Sequence, residues 1–236
     1  MQNIERIENT NLCEGIDLSP IFGGKESLRF TDFINNKSDD LLDIFNSIIA
    51  PRLYYRNYKI ASAGNGRVCL EKGVELKSIK LTKVMKHCES AICFTATIGS
   101  EVDKEISRLT HENRLFDAYL IDSMGSMAVE NMAEEFWKNM QTRYNTLGQG
   151  ITIRFSPGYC DWPIIEQKKL FDQLFDAGQT DVTLTDSCLM NPRKSISGIF
   201  GIHPLFNEDV PVSPYNPCSD CSKKNCKERR VFLTNS

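Results

Sequence analysis

The chain has 236 residues, of which 41% are hydrophobic and 25% are charged, and its formal net charge is −3 at pH 7. This length allows one large domain or two small ones, and the composition is typical of a soluble globular protein. The small negative charge gives no electrostatic reason to expect nucleic acid or an anionic membrane as a partner.

No segment of the sequence suggests a membrane span or secretion. The apolar runs, such as "SAICFTATIG", are too short to cross a bilayer, and the first residues lack a basic region followed by an apolar stretch. We therefore expect a cytoplasmic chain. Its nine cysteines should then be reduced thiols or metal ligands rather than a disulfide framework.

The first hundred residues predict a helix followed by strands. Leu41, Leu42, Phe45 and Ile48 recur at helical spacing, and Pro51 ends the pattern. The strand segments are "KIASAGNGRVCL", with a tight turn at "GNG", then "GVELKSIKL" and "SAICFTATIG".

Residues 100 to 144 predict two helices. Ile106 and Leu109 mark the first, and the second carries an apolar stripe whose small residues leave room for another element to approach closely. Asp122 and Glu130, on the polar face of this long helix, are interpreted as solvated surface. The stripe consists of Ala118, Ile121, Gly125, Ala128, Met132, Phe136 and Met140.

Beyond the long helix we expect short strands at "GITIRF" and "VTLT", with the helix "IIEQKKLFDQLFDAG" between them and Gly178 as its end. After His203 the composition turns to Pro, Asn, Asp and Ser, which predicts a loop-like tail. We therefore divide the chain into an N-terminal segment, residues 1–40, one domain, residues 41–205, and a cysteine-containing tail, residues 206–236.

Candidate binding chemistry is concentrated in "RFSPGYCDWP", residues 154 to 163. Arg154 ends a strand-like segment, and an arginine followed by a turn with free backbone amides is suited to holding a carboxylate or phosphate. Tyr159 and Trp162 offer aromatic faces to a planar or cationic ligand. The alternative is a purely structural turn, with Arg154 paired to a nearby acid and the aromatic rings in the core.

A second segment, "LTDSCLMNPRKSISGIFGIHP", covers residues 184 to 204. Its glycines Gly198 and Gly201 permit close approach of a ligand or of another strand. It contains no Walker pattern and no dinucleotide-binding fingerprint. As an isolated motif, this segment does not identify a function.

In their order and spacing, the two segments resemble the activation domain of cobalamin-dependent methionine synthase, and more closely the free-standing bacterial proteins related to that domain. The family's Arg-x-x-x-Gly-Tyr signature is matched by Arg154, Gly158 and Tyr159. Its Ser-x-Ser-Gly stretch, which ends in His-Pro, is similar to "SISGIFGIHP". Upstream, "TATIGSEVDKEI" and "DSMGSMAVENMAE" also resemble the free-standing relatives.

The resemblance implies a single α+β domain with a curved, mainly antiparallel sheet and packed helices. It implies an accessory subunit that binds S-adenosylmethionine and supports reductive methylation of cob(II)alamin on a separate cobalamin-dependent methyltransferase, with methionine synthase as the first candidate. Cobalamin would be bound only by the corrinoid-binding module of that partner, since the sequence has no Asp-x-His-x-x-Gly motif. A flavodoxin- or ferredoxin-type protein would donate the electron. Whether the chain is itself an enzyme stays open.

The same resemblance implies which residues hold the cofactor. Arg154 would pair with the carboxylate of S-adenosylmethionine, and backbone groups around Pro157, Gly158 and Tyr159 would hold its adenine and ribose. The implied mechanism relies on positioning the methyl donor and needs no general base, so no catalytic residue is assigned.

The resemblance implies three further cofactor contacts, and two of these positions depart from the family pattern. Phe200 and Gly201 fall where the family places contacts before His-Pro, but the family has a tyrosine at the position of Phe200, so its hydroxyl is lost. Asp17, in "IDLSPIF", is similar to an aspartate that contacts the amino group of the ligand. It lies earlier in the chain than the family pattern expects, and an accidental match is the alternative.

The tail contains Cys218, Cys221 and Cys226 in a C-x2-C-x4-C pattern. Three close thiolates are suitable ligands for zinc or an iron–sulfur cluster, which needs a fourth ligand from the chain or a partner. The alternative function is therefore an iron–sulfur or thiol-based corrinoid activase or redox carrier. A metal-free tail with reduced thiols is the structural alternative. The candidates for the fourth ligand are Cys160, Cys188 and His203.

Overall fold

The structure is a computed structural model, which describes residues 5–7, 31–175, 180–205 and 218. Short 3₁₀ and π segments supplement its regular elements. In chain order, these elements are β1 (Glu5–Ile7), α1 (Thr31–Ile48), β2 (Arg52–Gly64), β3 (Arg67–Leu70), β4 (Glu75–Lys77), α2 (Ile79–Met85), β5 (Ser90–Thr97), α3 (Glu101–His111), α4 (Leu115–Asn145), β6 (Gln149–Ile151), α5 (Gln167–Lys169), β7 (Thr183–Leu184), β8 (Met190–Asn191) and β9 (Ser195–Pro204).

One antiparallel sheet forms the centre of the fold. Its strands lie in the order β4-β3-β2-β5-β9-β6, and β1 also pairs with β2. All pairings between the described strands of this sheet are antiparallel, and β5 pairs with β9 from Ser90↔Ile202 to Thr97↔Ser195. A separate small hairpin joins β7 and β8. The predicted α+β class with a mainly antiparallel sheet is therefore confirmed.

Helices α1, α3 and α4 cover one face of the sheet. Every position of the stripe predicted for α4 is buried, and so are Leu41 and Phe45 of α1. The small residue Gly125 allows close approach, because a Cβ atom at this position would lie 3.0 Å from Cγ of Lys194. Burying one large apolar side chain in this way stabilises the folded state by roughly 1.5–3 kcal/mol.

The other face of the sheet packs against α2 and the segment that follows β6. Phe155, Trp162, Leu170 and Phe175 form a second core there with Ile199 of β9. Because side chains alternate along a strand, neighbouring residues of β9 contribute to different cores. The long strand β9 therefore lies between the two cores.

Local turn chemistry explains two boundaries in the first half of the fold. The predicted "GNG" turn joins β2 and β3, and Asn65 and Gly66 have φ values of 51° and 73°, as in the turns that favour Asn-Gly. The segment "GVELKSIKL" forms a strand only over β4, and the prediction of a strand beyond it is wrong. Ser78 accepts a hydrogen bond of 2.9 Å from the amide of Leu81 and so caps the start of α2.

The predicted helix "IIEQKKLFDQLFDAG" forms a different structure. It divides into a 3₁₀ turn at Ile164–Glu166, the short helix α5 and a π segment at Leu170–Leu174. In the π segment the amide of Phe175 donates to the carbonyl of Leu170 at 2.8 Å, and both side chains are buried in the second core. Tertiary packing therefore overrides the local helical pattern. The predicted end at Gly178 lies outside the described residues.

The predicted end segments are only partly described. Of residues 1–40, the structure describes β1 and the start of α1, and of residues 206–236 it describes Cys218. The domain boundaries at residues 40 and 205 therefore stay predictions. Among the helices that are described, none has the length and apolar composition needed to cross a membrane.

Candidate functional site

Arg154 is a buried cation beside two carboxylates of α4. Only 8% of its side chain is exposed, and its Nη2 lies 3.0 Å from the carboxylate of Glu134 and 3.7 Å from that of Glu130. The two glutamates lie one helical turn apart and are themselves 40% and 53% exposed. Within the described part of the chain, Nε of Arg154 has no hydrogen-bond partner. The guanidinium therefore retains donor capacity next to two partly exposed carboxylates.

The packing of the segment after β6 explains why Arg154 points towards α4. Phe155 exchanges two backbone hydrogen bonds of 2.8 Å with Ile199 of β9, and its ring lies in the second core. Because successive side chains of an extended segment point to opposite faces, Arg154 points to the face that α4 covers. On that face Trp137 of α4 donates its Nε1 hydrogen to the carbonyl of Thr152 at 2.8 Å, which holds the helix against the segment.

The two glutamates were not identified as site residues from the sequence. Asp122 and Glu130 are partly solvated, as interpreted from the sequence, with side chains 39% and 53% exposed. Each also faces a cation, since Glu130 lies 3.7 Å from Nη2 of Arg154 and Asp122 lies 2.8 Å from Nζ of Lys194. Glu134 makes the shorter of the two ion pairs with Arg154, and the sequence pattern assigned it no role. The spacing of Glu130 and Glu134 by four residues places both on one helix face, but it does not indicate Arg154 as their partner.

The turn that follows Arg154 is closed by its own backbone. Gly158 has a φ of +89°, which L side chains rarely adopt, and its amide donates to the carbonyl of Trp162 at 2.8 Å. The amide of Tyr159 donates to the carbonyl of Ser156 at 3.2 Å. Contrary to the expectation of free amides, these two donors are used inside the turn. In this conformation the amides of Gly158 and Tyr159 are therefore not available to a ligand.

Only one of the two predicted aromatic faces is accessible. Tyr159 is 49% exposed, whereas Trp162 is 1% exposed, with its ring centroid 6.0 Å from that of Phe155. Pro157 is also buried. Ile164 is partly exposed and lies next to Gly158, where a Cβ atom would approach its Cδ1 to 3.3 Å. Tyr159 and Ile164 therefore contribute the large exposed apolar side chains on this part of the turn.

Phe200 and Gly201 lie on opposite faces of β9, away from the surface. The ring of Phe200 is buried in the first core, 6.1 Å from the ring centroid of Phe94. Gly201 donates its amide to Oγ1 of Thr152 and accepts from the amide of Thr152, both at 2.9 Å. Cofactor contacts at these two positions stay predictions, and they would require the groups that now cover Phe200 and Gly201 to move.

The remaining predicted site residues are mostly beyond the described chain. The structure describes Cys218 of the tail. The residues Asp17, Cys221 and Cys226 lie outside the described part of the chain. Over the ranges that the structure describes, no group of three or more His, Cys, Asp or Glu side chains is arranged to hold a metal ion. The zinc or iron–sulfur site in the tail therefore stays a prediction.

We expect three cysteines of the domain to differ sharply in reactivity. Burial raises the pKa of Cys88 to about 12 and raises that of Cys93 further, whereas Cys160 is exposed in the turn. Because the thiolate is the nucleophile, alkylation at about pH 8 should label Cys160 and spare Cys88 and Cys93. Peptide mass spectrometry measures this, with denatured protein as the control. Equal labelling of Cys93 and Cys160 in the native protein would contradict the prediction.

Comparison with known proteins identifies a family and solved structures of similar fold. Residues 79–208 match the family described as vitamin B12 dependent methionine synthase, activation domain. A crystal structure described as the MetH reactivation domain bound to AdoHcy is similar, with a TM-score of 0.64, 15% sequence identity, and coverage of 90% of this chain and 81% of that chain. At this identity the likeness concerns the fold alone. No curated protein matches the sequence.

Proposed function

The chain belongs to the family of activation domains of vitamin B12-dependent methionine synthase, and from this premise we propose that it binds S-adenosylmethionine for the reactivation of a cobalamin-dependent methyltransferase. In this role the chain would dock on the corrinoid-binding module of a separate protein, with methionine synthase as the first candidate. A flavodoxin- or ferredoxin-type protein would supply the electron for reductive methylation. Cobalamin would belong to the partner.

The observation that carries the proposal is the arrangement of charges around Arg154. S-adenosylmethionine ends in an amino acid, which presents a carboxylate and an ammonium group. The buried guanidinium of Arg154 is suited to the carboxylate, and the carboxylates of Glu130 and Glu134 are suited to the ammonium group. A buried charge is costly without a partner of opposite charge. A site that contains a cation and two carboxylates can pair with both charges of a zwitterion, which supports binding of an amino-acid group.

The turn offers a complementary surface for the rest of the ligand. The half-exposed ring of Tyr159 and the neighbouring Ile164 present apolar area beside Gly158. Adenine is planar and the sulfonium group is cationic, and both are favourable neighbours for an aromatic face. The residues present therefore fit S-adenosylmethionine at its amino-acid end and at its adenosine end.

The chain's contribution to reactivation would be to bind and orient. When bound, S-adenosylmethionine supplies an activated methyl group on its sulfonium sulfur. Arg154 and the two glutamates would fix the amino-acid end, and the turn at residues 157–162 would fix the adenosine end. Holding both ends limits the orientations in which the methyl group can be presented to a docked partner, which is a contribution of proximity.

We expect the variant Arg154→Gln to bind S-adenosylmethionine at least about tenfold more weakly than wild type, because a charge-assisted contact is lost. Isothermal titration of the ligand into both proteins measures this. Arg143→Gln, at the exposed end of α4, is the matched control and should bind as wild type does. Unchanged affinity of Arg154→Gln would reject the assigned contact, and absence of binding by wild type would reject the proposed function.

A further inference from the structure

Asp161 connects the turn after Arg154 to the start of α2. Its Oδ1 accepts a hydrogen bond of 2.6 Å from Oγ of Ser78, and its Oδ2 accepts hydrogen bonds of 2.7 Å from the amide of Ile79 and 3.2 Å from the amide of Lys80. The first amides of a helix have no acceptor inside the helix. Asp161 therefore completes the cap of α2 from a distant part of the chain.

The helix that Asp161 contacts is firmly packed. Leu81 and Met85 of α2 are buried in the second core, and Gly201 of β9 lies so close that a Cβ atom there would be 2.6 Å from Sδ of Met85. The other end of α2 is thus held against the central sheet. A hydrogen bond to the start of α2 is a connection to the rigid part of the fold.

The turn itself has a conformation that needs such support. Gly158 and Cys160 both have positive φ values, of 89° and 55°. A left-handed conformation is disfavoured for a residue with a Cβ atom, so surrounding contacts must maintain it at Cys160. Asp161 is the next residue, and the buried Trp162 follows it. The contacts of Asp161 and Trp162 therefore hold the turn immediately after its least favourable residue.

The two ends of the proposed ligand site consequently depend on different anchors. Arg154 is positioned by β9 through the pairing of Phe155, and by α4. Tyr159, at the tip of the turn, lies two residues before Asp161, whose carboxylate is bound to α2. Functional groups need support from neighbouring hydrogen bonds if they are to keep a productive geometry.

We propose that Asp161 is a positioning residue of the S-adenosylmethionine site, which fixes the turn at residues 157–162 to α2 and so sets the place of Tyr159 relative to Arg154. This inference rests on the proposed function. Asp161 acts through the turn and makes no ligand contact of its own. Its loss should therefore weaken recognition of the adenosine end and leave the charges around Arg154 in place.

A pair of ligands separates this role from that of Arg154. S-adenosylmethionine has both ends, whereas 5′-methylthioadenosine has the adenosine and sulfur without the amino acid. In isothermal titration, Asp161→Ala should bind both ligands about tenfold more weakly than wild type, because binding would then have to order the loosened turn. Arg154→Gln should bind only S-adenosylmethionine more weakly.

Two further variants test whether the loss of affinity comes from the hydrogen bonds of Asp161. Asp161→Asn keeps the size of the side chain and one acceptor oxygen, so its loss of affinity for both ligands should be smaller than that of Asp161→Ala. Asp186→Ala removes an exposed acid from another turn and should bind as wild type does. Wild-type affinity of Asp161→Ala for 5′-methylthioadenosine, or weakened binding of S-adenosylmethionine alone, would overturn the proposal.

Amide hydrogen exchange tests the tether without any ligand. Asp161→Ala should exchange faster in peptides from residues 155–163 and 78–85, with unchanged exchange in α3 and α4. If wild type binds neither ligand, the proposed function fails, and the exchange result still decides whether Asp161 fixes the turn. Faster exchange in α2 alone, with the turn unchanged, would reduce Asp161 to a helix cap and overturn its positioning role.

Discussion

Replacing Phe136 by alanine should lower the free energy of unfolding by about 3–5 kcal/mol, as expected for a fully packed aromatic side chain. Phe136 of α4 is 4% exposed, and its ring centroid lies 5.0 Å from that of Tyr55, 5.6 Å from that of Phe94 and 5.9 Å from that of Phe200. These three residues belong to β2, β5 and β9. Because paired strands cannot move independently, the cavity left by alanine should not close.

Chemical denaturation followed by circular dichroism measures the effect of Phe136→Ala. Tyr119→Ala is the control on the same helix, since Tyr119 is 54% exposed, and its effect should be within about 0.5 kcal/mol of zero. Domains are stable by only about 5–15 kcal/mol, so the loss at Phe136 should be a large part of the total. A loss below about 1 kcal/mol would contradict the packing of α4 on the sheet.

Gly201→Ala should destabilise the fold by about 1–3 kcal/mol through overpacking. A Cβ atom at this position would lie 2.4 Å from Sγ of Cys88 and 2.6 Å from Sδ of Met85. β9 cannot withdraw, since it pairs with β5 on one side and β6 on the other. The strain should therefore push α2 away from the sheet. Since Asp161 is bound to α2, the turn should be displaced with it.

Thermal unfolding compares Gly201→Ala with Gly64→Ala, a matched glycine at the end of β2. No atom lies within 4 Å of a Cβ built at Gly64, so this substitution should be neutral or slightly stabilising, by less than about 1 kcal/mol. The two variants together separate steric conflict from the general effect of removing a glycine. Equal stability of Gly201→Ala and wild type would mean that α2 does not pack on β9 as described.

Many of the regular elements follow from patterns within a single stretch of chain. The apolar stripe of α4 predicted its buried face, and the spacing of Leu41 and Phe45 predicted that of α1. The "GNG" turn and β5 were also predicted correctly. The segment at residues 164–174 was not, because burial of its side chains in the second core overrides a local helical pattern.

The sequence by itself determined the mixed helix and strand content, the long helix α4 and the turn that follows Arg154, because spacing and turn chemistry act over a few neighbouring residues. The antiparallel α+β class was implied by the resemblance to a known family. Only the tertiary structure decided which charged groups meet. Arg154 and Glu134 lie 20 positions apart, and Asp161 and Ile79 lie 82 positions apart. Such pairs depend on how α4 and α2 dock on opposite faces of the sheet, which no local pattern encodes. The charge pair at Arg154 and the tether at Asp161 are therefore consequences of packing.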